Sequence, residues 1–371
     1  MVERVRRDLE VVASGGLDLD TFLVESLASL QRVVPFDAAC LGTVDPSTRL
    51  LTSTRKYGDL YGRDERDHDW GLIEYGISED TAFTSLHDAG IRAVGVHQAT
   101  AGRVESSTRV SELIKPYYGY GDELRGLFLD RDHLWGAVAL FRATDDQPFR
   151  TDEIDFLSSL AEVLGRGVRA GLLASLAVSA PVDSPTGPAV MIIGDDDTVV
   201  QVNVGAGRWL SELVLGAAGA APSGIIGSLV GAARRYARGA CVHAPRARVR
   251  AANGLWLVLH ATPLSPRNGA SSEVVVTIEE ARPPEIVPLV VAAFGLTARE
   301  RDVTTYVLQG SDTKEIAAAL HLSAWTVQDH LKAIFEKASV RSRRELIARV
   351  YFDQYVPRMG HDIGHAGWFT G

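Results

Sequence analysis

The sequence contains little sulfur and no long apolar run. Its 371 residues include two cysteines, Cys40 and Cys241, and three methionines. Two cysteines so far apart can form neither a disulfide framework nor a zinc cluster, so we expect both to be buried in a core. No apolar run reaches the roughly 18 residues that a membrane helix needs, and the charged amino terminus lacks the apolar stretch of a secretory signal. The sequence therefore predicts a cytoplasmic protein that has no membrane partner.

Common catalytic signatures are also missing. The sequence contains no G-x-S-x-G, P-loop, H-E-x-x-H or complete dinucleotide fingerprint. His68, His87 and His97 lack the spacing of metal ligands, and His361 and His365 stand among glycines near the end of the chain, which is typical of a mobile tail. We therefore predict no enzyme activity, no cofactor and no metal site.

Length and charge indicate several domains and one basic region. A chain of 371 residues exceeds what one hydrophobic core usually organises, which predicts two or three domains. The net charge of −9 would normally disfavour a polyanion as partner. Residues 325 to 350, however, contain six lysines and arginines against three acidic residues. This local positive surplus suits a phosphate backbone.

Helix-start signals recur in the last eighty residues. In each capping box a Thr, Asp or Ser is followed three residues later by Glu, and the two side chains accept hydrogen bonds from backbone N–H groups. The pairs are Thr297 with Glu300, Asp312 with Glu315, and Ser342 with Glu345. Ser323 is a further cap, and Gly310 is placed to end the first helix. The pattern predicts four short helices.

The third predicted helix has two different faces. An apolar stripe is formed by Val327, Leu331, Ile334, Phe335 and Ala338. Trp325, Asp329 and Lys332 lie opposite this stripe on a helical wheel. Two helices joined by a tight turn, the second with a polar outer face, are what a helix-turn-helix needs to enter a major groove.

Residues 296 to 350, which include "KEIAAALHLSAWTVQDHLKAIFEKASVRSRREL", resemble the DNA-binding domain of LuxR-type (GerE-like) transcription regulators. The resemblance implies binding to double-stranded DNA. It implies that Lys314 and Thr326 hold phosphates while Gln328, Asp329 and Lys332 face base edges. The full set of residues expected to contact DNA is Lys314, Ser323, Trp325, Thr326, Gln328, Asp329, Lys332, Arg341, Arg343 and Arg344. The alternative is a small helical bundle that binds protein.

The sequence departs from many members of that family at the groove face. Many members carry Lys or Arg where this chain has Gln328, and glutamine suits adenine whereas arginine suits guanine. Asp329 would repel phosphates but could accept a hydrogen bond from cytosine N4. We therefore expect a base preference different from that of more basic relatives.

The first 180 residues alternate helix, strands, a mixed segment, strands and helix. "DAACLGTVD" and "RLLTSTRKYG" flank the turn-forming "DPST", which predicts a hairpin. "ELRGLFLD" and "HLWGAVALFRA" predict a second strand pair, and helical periodicity follows from Thr151. The order resembles a GAF domain, which implies a sheet bracketed by helices with a ligand cavity on one face.

Small residues in the strand "HLWGAVALF" suggest a hollow beside the sheet. Gly136, Ala137 and Ala139 leave volume that a small molecule could fill, or that close packing against a helix could use instead. Aromatic side chains in the preceding segment could line such a pocket or serve as ordinary core and loop residues. The candidate ligand contacts are Trp70, Tyr75, Tyr117, Tyr118, Trp135, Ala137 and Ala139.

A second sheet domain is predicted after the Pro-rich and Ser-rich stretch "SAPVDSPTGP". Residues 188 to 281 resemble a PAS domain, with a hairpin around "DDD", a helix near "GAGRWLSEL", and Asn253-Gly254 as a two-residue turn between alternating strands. The run "VLGAAGAAPSGIIGSLVGAA" is rich in glycine and alanine where the helices of such a domain should pack.

Taken together, the patterns predict a multidomain α+β chain. Its expected parts are a GAF-like sensor (1–178), a linker (179–187), a PAS-like domain (188–281), a linker (282–295), an all-α four-helix LuxR-type helix-turn-helix domain (296–357) and a tail (358–371). The expected function is a sequence-specific transcription regulator that acts as a homodimer and responds to a small-molecule effector, with RNA polymerase as a partner if it activates. The alternative is an interaction or dimerisation module without ligand sensing.

Overall fold

The computed structural model describes residues 1–176, 188–203, 206–207, 209, 213, 222–251, 254–264 and 273–351. Two five-stranded antiparallel sheets are followed by a set of carboxy-terminal helices. The mixed α+β class predicted from the sequence is thereby confirmed. The predicted linker 179–187 and tail 358–371 lie outside the described residues. Within the described ranges, no helix has the length and apolar character needed to cross a membrane.

The first sheet has the strand order β2-β1-β5-β4-β3. Its strands are β1 (Ala38–Val44), β2 (Leu51–Gly58), β3 (Ala93–Gly95), β4 (Tyr120–Asp130) and β5 (His133–Ala143). The helices around it are α1 (Val2–Ser14), α2 (Leu19–Leu30), α3 (Asp67–Gly76), α4 (Phe83–Asp88), α5 (Val96–Ala99), α6 (Thr151–Ser159) and α7 (Ala161–Leu176), with a 3-10 turn (Val104–Ser106) and a π-helix (Val110–Tyr118). The predicted helices and both predicted strand pairs in this region are present.

The two faces of the first sheet are covered differently. Leu41, Val138 and Leu140 lie in the core that the sheet shares with α1, α2 and α7. Ala139 points to the other face, because neighbouring residues of a strand alternate between the two faces. It lies there in a cluster with Phe141. This second face is the one on which the ligand cavity was expected.

The second sheet has the strand order β7-β6-β10-β9-β8. Its strands are β6 (Ala189–Ile193), β7 (Val199–Val202), β8 (Arg246–Arg250), β9 (Trp256–Pro263) and β10 (Val274–Glu280), and α8 (Pro222–Ala237) packs against them. β8 and β9 pair as the predicted hairpin, and Gly254 has a φ of 81°. Asn253 and most of the predicted helix near "GAGRWLSEL" lie outside the described residues.

Helices α3 and α8 join the two sheet units through glycines. A Cβ added to Gly71 would lie 2.4 Å from the Gly224 carbonyl oxygen, and one added to Gly231 would lie 2.8 Å from the Gly76 nitrogen. Real Cβ atoms do not approach so closely, so the two backbones can pack against each other only if glycine occupies these positions. Part of the glycine-rich run, which falls where the helices of a PAS domain should pack, therefore serves the contact between the two sheet units.

An ion pair crosses the same boundary. Arg248 on β8 donates from Nε to Asp45 Oδ2 at 2.6 Å and from Nη2 to Asp45 Oδ1 at 2.5 Å, and both side chains are buried. Burial raises the pKa of Asp45, but Arg248 and the hydrogen bonds from Ser47 together lower it by more, so the pKa lies below its ordinary value. Removing either partner would leave a buried charge uncompensated.

Neither cysteine is fully buried, since both side chains are half-buried. Cys40 lies on the first sheet, and burial raises the pKa of its thiol to about 12. Cys241 follows the end of α8, where it is only half-buried and its Sγ lies 3.7 Å from the His243 carbonyl oxygen. The expectation that both are buried in a core was therefore wrong in degree: Cys40 packs against the cluster around Ala139 but is only half-buried, and Cys241 lies outside the sheet.

The carboxy-terminal unit is helical. It consists of α9 (Pro283–Ala293), α10 (Ala298–Leu308), α11 (Thr313–Ala319), α12 (Ala324–Lys337) and α13 (Arg343–Tyr351). The predicted linker 282–295 contains α9, which buries Ile286, Leu289 and Val290 at helical spacing. Residues 286 to 350 share one hydrophobic cluster with the first unit, so α9 belongs to a packed core.

Candidate nucleic-acid interface

Two capping boxes start α10 and α11 where the sequence predicts them. The Thr297 N–H donates to Glu300 Oε2 at 2.7 Å, and the Glu300 N–H donates back to Thr297 Oγ1 at 3.3 Å. Asp312 Oδ1 accepts from the Lys314 and Glu315 N–H groups at 2.7 and 2.9 Å. The Glu315 and Lys314 N–H groups lower the pKa of Asp312. Both helix starts therefore rest on local hydrogen bonds.

The turn between α11 and α12 is tight. His321 adopts a φ of 54°, and the Leu322 N–H donates to the Ala317 carbonyl at 2.9 Å, which closes α11. Ser323 then caps α12, because its Oγ accepts from the Thr326 N–H at 3.0 Å. Residues 320 to 323 thus join α11 to α12 in a hydrogen-bonded turn.

Helix α12 is held by its apolar stripe and exposes its polar face. Val327, Leu331 and Ile334 are each at most 2% exposed. On the opposite side Trp325 is 75% exposed, and the other predicted readers of this face are exposed as well. These readers are Gln328, Asp329 and Lys332. The stripe and the outward face agree with the sequence expectation.

The other residues predicted to contact DNA differ in how exposed they are. Lys314, Ser323, Arg341 and Arg344 are exposed and Thr326 is half-buried. Arg343 instead donates to the Ser311 carbonyl at 2.6 Å and to Thr313 Oγ1 at 2.9 Å. Its guanidinium therefore ties α13 to the start of α11, and its contact with DNA stays a prediction.

Thr313 links this tie to the recognition face. Gln328 Nε2 donates to Thr313 Oγ1 at 3.1 Å, so Gln328 and Arg343 share one hydroxyl acceptor. The chain Arg343, Thr313, Gln328 positions the side chain that is predicted to read a base. Sequence reasoning could not find it, because the three residues lie on three different helices.

A second ion pair fixes α12 to α10. Lys337 Nζ lies 2.6 Å from Glu300 Oε2, and the Glu300 side chain is 7% exposed. Burial raises the pKa of Glu300, but Lys337 and the Thr297 N–H lower it by more, so the pKa falls below 4.5. Lys337 was counted in the positive surplus of residues 325 to 350, but its charge is neutralised by Glu300 within the helical unit.

The third predicted capping box is formed on one side only. Ser342 Oγ accepts from the Glu345 N–H at 3.2 Å, as expected. The Glu345 carboxylate, however, accepts from the Arg341 N–H at 2.7 Å, one residue before the expected partner. Glu345 therefore orders the approach to α13, and the box prediction was wrong in this detail.

Capped helices around a tight turn, with an apolar stripe inside and a polar face outside, define a helix-turn-helix unit. The family described as bacterial regulatory proteins, luxR family, matches residues 295–350. The spore germination protein GerE of Bacillus subtilis is 36% identical over 55 residues, which are 15% of this chain and 74% of that protein. The chain belongs to the luxR family of bacterial regulatory proteins.

Other relatives are similar over the same short region. The monoamine regulon transcriptional regulator of Klebsiella aerogenes is 43% identical over 56 residues, 15% of this chain and 25% of that protein. The chain thus spans about a quarter of the length of that relative. A structure of Vibrio cholerae VqmA in complex with ligand and DNA is 18% identical, covers 46% of this chain and 84% of that chain, and has a TM-score of 0.23. That similarity is too low to indicate a shared overall fold.

The candidate ligand residues of the first unit do not form one group. Trp70, Tyr118 and Ala139 lie together in one cluster, where Trp70 Nε1 is 3.3 Å from the Tyr118 hydroxyl. Tyr75 packs instead in the core of the second sheet unit. Tyr117 is 45% exposed and stacks on the Arg66 guanidinium, 4.0 Å from the ring centre.

Trp135 lies on the wrong face for the predicted pocket. Phe128 pairs with Gly136 and Leu129 pairs with Leu134, so Trp135 is an extra residue in β5. The bulge turns Trp135 into the core beneath α1, α2 and α7, away from Ala137. Strict alternation would have placed both residues on one face, and a bulge cannot be read from the alternation itself.

A buried ion cluster occupies the face on which the cavity was expected. Arg125 donates to Glu123 and Glu74, in each case at 2.6 Å. Arg109 donates to Glu123 at 3.0 Å and to Glu79 at 3.1 Å. Both arginines are 1% exposed. Glu123 and Arg125 stand two apart in the strand "DELRGLF", which was the one sequence signal for a charged inner face.

Proposed function

We propose that this protein is a sequence-specific, DNA-binding transcription regulator whose recognition helix is α12. The observation that carries the proposal is the exposed face formed by Trp325, Gln328, Asp329 and Lys332 on a helix whose opposite side is buried. Such a helix can enter a major groove without losing its own packing. Membership of a family of bacterial regulatory proteins supports the same function.

Base contacts and phosphate contacts fall to different residues in this proposal. Gln328 offers a donor and an acceptor to adenine, and Asp329 offers an acceptor to cytosine N4. Lys314, at the exposed start of α11, and Arg344, at the start of α13, reach phosphates on either side. The phosphate contacts set the position of α12, and Gln328 and Asp329 set the sequence preference.

Control by a small-molecule effector requires a physical link between the sheet units and α12. Arg169 on α7 pairs with Asp130 at 2.6 Å and donates to the Ala293 carbonyl at 2.6 Å. Arg131, in the turn between β4 and β5, donates to the Leu296 carbonyl. The first unit is therefore hydrogen-bonded to the junction of α9 and α10, next to the capping residue Thr297 of the helix-turn-helix unit.

The regulator acts as a homodimer on a two-fold symmetric site in this proposal, since paired half-sites are the usual target of helix-turn-helix proteins. If it activates transcription, RNA polymerase is its further partner. The hydrogen bonds to Ala293 and Leu296 would then transmit a conformational change in the sheet units to the two copies of α12 and alter their relative position.

Footprinting of the full chain on a library of duplexes tests the proposal. We expect protection of two half-sites and an affinity that falls steeply with salt, because bound lysines and arginines release counterions. Equal affinity for every duplex of matched length would contradict sequence-specific binding. Absence of salt-dependent DNA binding would favour the rival function, a protein-interaction module.

A further inference from the structure

An open cleft of about 370 Å³ lies between the two sheet units. Leu72, Ile73 and Ile77 line it from the region of α3, and Leu113 lines it from the π-helix. Gly231 lines it from α8, and Arg238 lines it from the turn that follows the end of this helix. The volume is within the range of small-molecule sites, which is about 300–1,000 Å³. Both units thus contribute walls to one cavity of ligand size.

The cationic side of the cleft lies at the carboxy-terminal end of α8 and in the turn after it. Arg234 pairs with Asp197 and donates to the Gly194 carbonyl at 2.8 Å. Its Nε is buried and has no hydrogen-bond partner among the described residues. Arg238 is exposed and donates from one Nη to the Gly76 carbonyl at 2.8 Å, which leaves further N–H groups of its guanidinium for a ligand.

Three acidic residues line the cleft: Asp197 of the second unit is paired with Arg234, and Asp69 and Glu112 belong to the first unit. Glu112 on the π-helix is exposed and forms no ion pair within the described part of the chain. Asp69 pairs with Arg66 at 3.1 Å, and Arg66 stacks on Tyr117, which closes this side of the cleft with an aromatic ring. A π-helix is a rare conformation that is frequent at functional sites.

We propose that this cleft binds a zwitterionic small molecule with an apolar body, of the size of a dipeptide or an amino-acid derivative. The carboxylate of the ligand faces Arg238 and Arg234, and its ammonium group faces Glu112. Leu72, Ile73 and Leu113 contact the apolar body. This inference deepens the proposed function, on which it rests, by naming the chemistry and the place of the effector.

The position of the cleft gives the ligand a regulatory effect. Its walls lie on α3 and the π-helix on one side and on α8 on the other, and α3 and α8 meet at Gly76 and Gly231. A ligand that contacts both units favours the arrangement of units in which both sets of contacts form. Binding therefore shifts the equilibrium between different arrangements of the two sheet units.

Calorimetric titration of the full chain with leucylphenylalanine tests the site, with the N-acetyl dipeptide and the dipeptide amide as matched probes. We expect one dipeptide per chain, and binding about five-fold weaker for each derivative that lacks one charge. In Arg238→Gln, which keeps Arg234, the preference for the acid over the amide should be reduced. In Glu112→Gln the free amine and the N-acetyl form should bind alike.

Arg235→Gln is the control, because Arg235 lies on α8 but does not line the cleft. This variant should keep the preference for the acid over the amide and for the free amine over the N-acetyl form. The proposal would be overturned if the wild type showed no saturable binding of the dipeptide. It would also be overturned if Arg238→Gln and Glu112→Gln kept the wild-type differences in affinity between the dipeptide and its two derivatives. DNA binding is measured without dipeptide, so that a failed cleft with intact DNA binding is distinguished from a failed regulator with an intact cleft.

Discussion

Arg125 and Ala139 lie directly opposite each other on β4 and β5, and the buried guanidinium of Arg125 occupies the face that the small Ala139 side chain leaves open. Opposite residues of an antiparallel pair point to the same side of a sheet. The alanine that suggested a ligand hollow is thus explained by the neighbouring arginine. Phe83 lies under the same guanidinium, 3.6 Å from it.

Ala139→Phe is therefore expected to destabilise the protein. A ring at this position would collide with the ion cluster of Arg125, and overpacking of this kind costs about 1–3 kcal/mol or more. Urea unfolding measures the loss, with Ala143→Phe as control because Ala143 lies at the exposed end of the same strand. Equal stability of the two variants would show that a hollow exists beside Ala139 after all.

Glycines on α8 should differ sharply in their tolerance of a methyl group. A Cβ on Gly227 would lie 2.2 Å from the His68 carbonyl oxygen, so Gly227→Ala should push α3 and α8 apart and cost about 1–3 kcal/mol. The matched control is Gly224→Ala, whose Cβ would meet its nearest atom at an ordinary 3.5 Å. That variant should gain up to about 1 kcal/mol from helix propensity. The opposite order of stabilities would refute the backbone contact.

The ion pair of Glu300 and Lys337 predicts a pH dependence. The folded pKa of Glu300 lies below 4.5, so its contribution is complete above pH 4.5 and is lost as the pH falls through the lowered pKa. Lys337 is one-third exposed, which limits the contribution to about 1 kcal/mol. Hydrogen exchange in α10 and α12 should show wild type and Lys337→Met differing at pH 7 and converging near pH 3.

Arg299→Met is the control for this pH experiment. The Arg299 and Asp302 side chains are both about half-exposed and lie 3.6 Å apart, and exposed pairs of this kind contribute little. This variant should match the wild type at both pH values. A difference between wild type and Lys337→Met that persists at pH 3 would mean that Lys337 stabilises α12 by something other than its charge.

Arg343→Ala and Arg344→Ala should both weaken DNA binding, but for different reasons. Arg343→Ala removes both bonds between α13 and the start of α11, so stability and affinity should fall together. Arg344→Ala removes an exposed cation, so stability should be unchanged while affinity falls on all sequences and the salt slope decreases by about one. Thermal melts and salt titrations separate the two. Identical profiles would remove the distinction between a positioning residue and a phosphate contact.

The helix-turn-helix unit was predictable because its signals are local. The caps at Thr297 and Asp312, the apolar stripe from Val327 and the tight turn before Ser323 each depend on residues within a few positions of one another. Pattern reasoning finds such features directly. The two strand pairs of the first sheet were found in the same way, from alternation and turn residues, whereas the three-residue strand β3 was not predicted because it is too short to show alternation.

Features that depend on distant residues were not predictable. Arg109 meets Glu79 and Glu123 only after the first unit has folded. The periodicity of any one segment therefore cannot predict this buried ion cluster. Gly71 and Gly227 are far apart in the chain, so each on its own indicates only an absent side chain. The cleft between the units is of the same kind, since neither unit forms it alone.

Base preference measured with and without Gln328 tests the central claim most directly. The account predicts that selection from random duplexes by the full chain yields a defined site, and that Gln328→Ala relaxes preference at one base position per half-site, at a cost of about 1–3 kcal/mol. Gln309→Ala, at the exposed end of α10, should leave the whole profile intact. A profile that is the same for wild type and Gln328→Ala would contradict the assignment of α12 as the recognition helix.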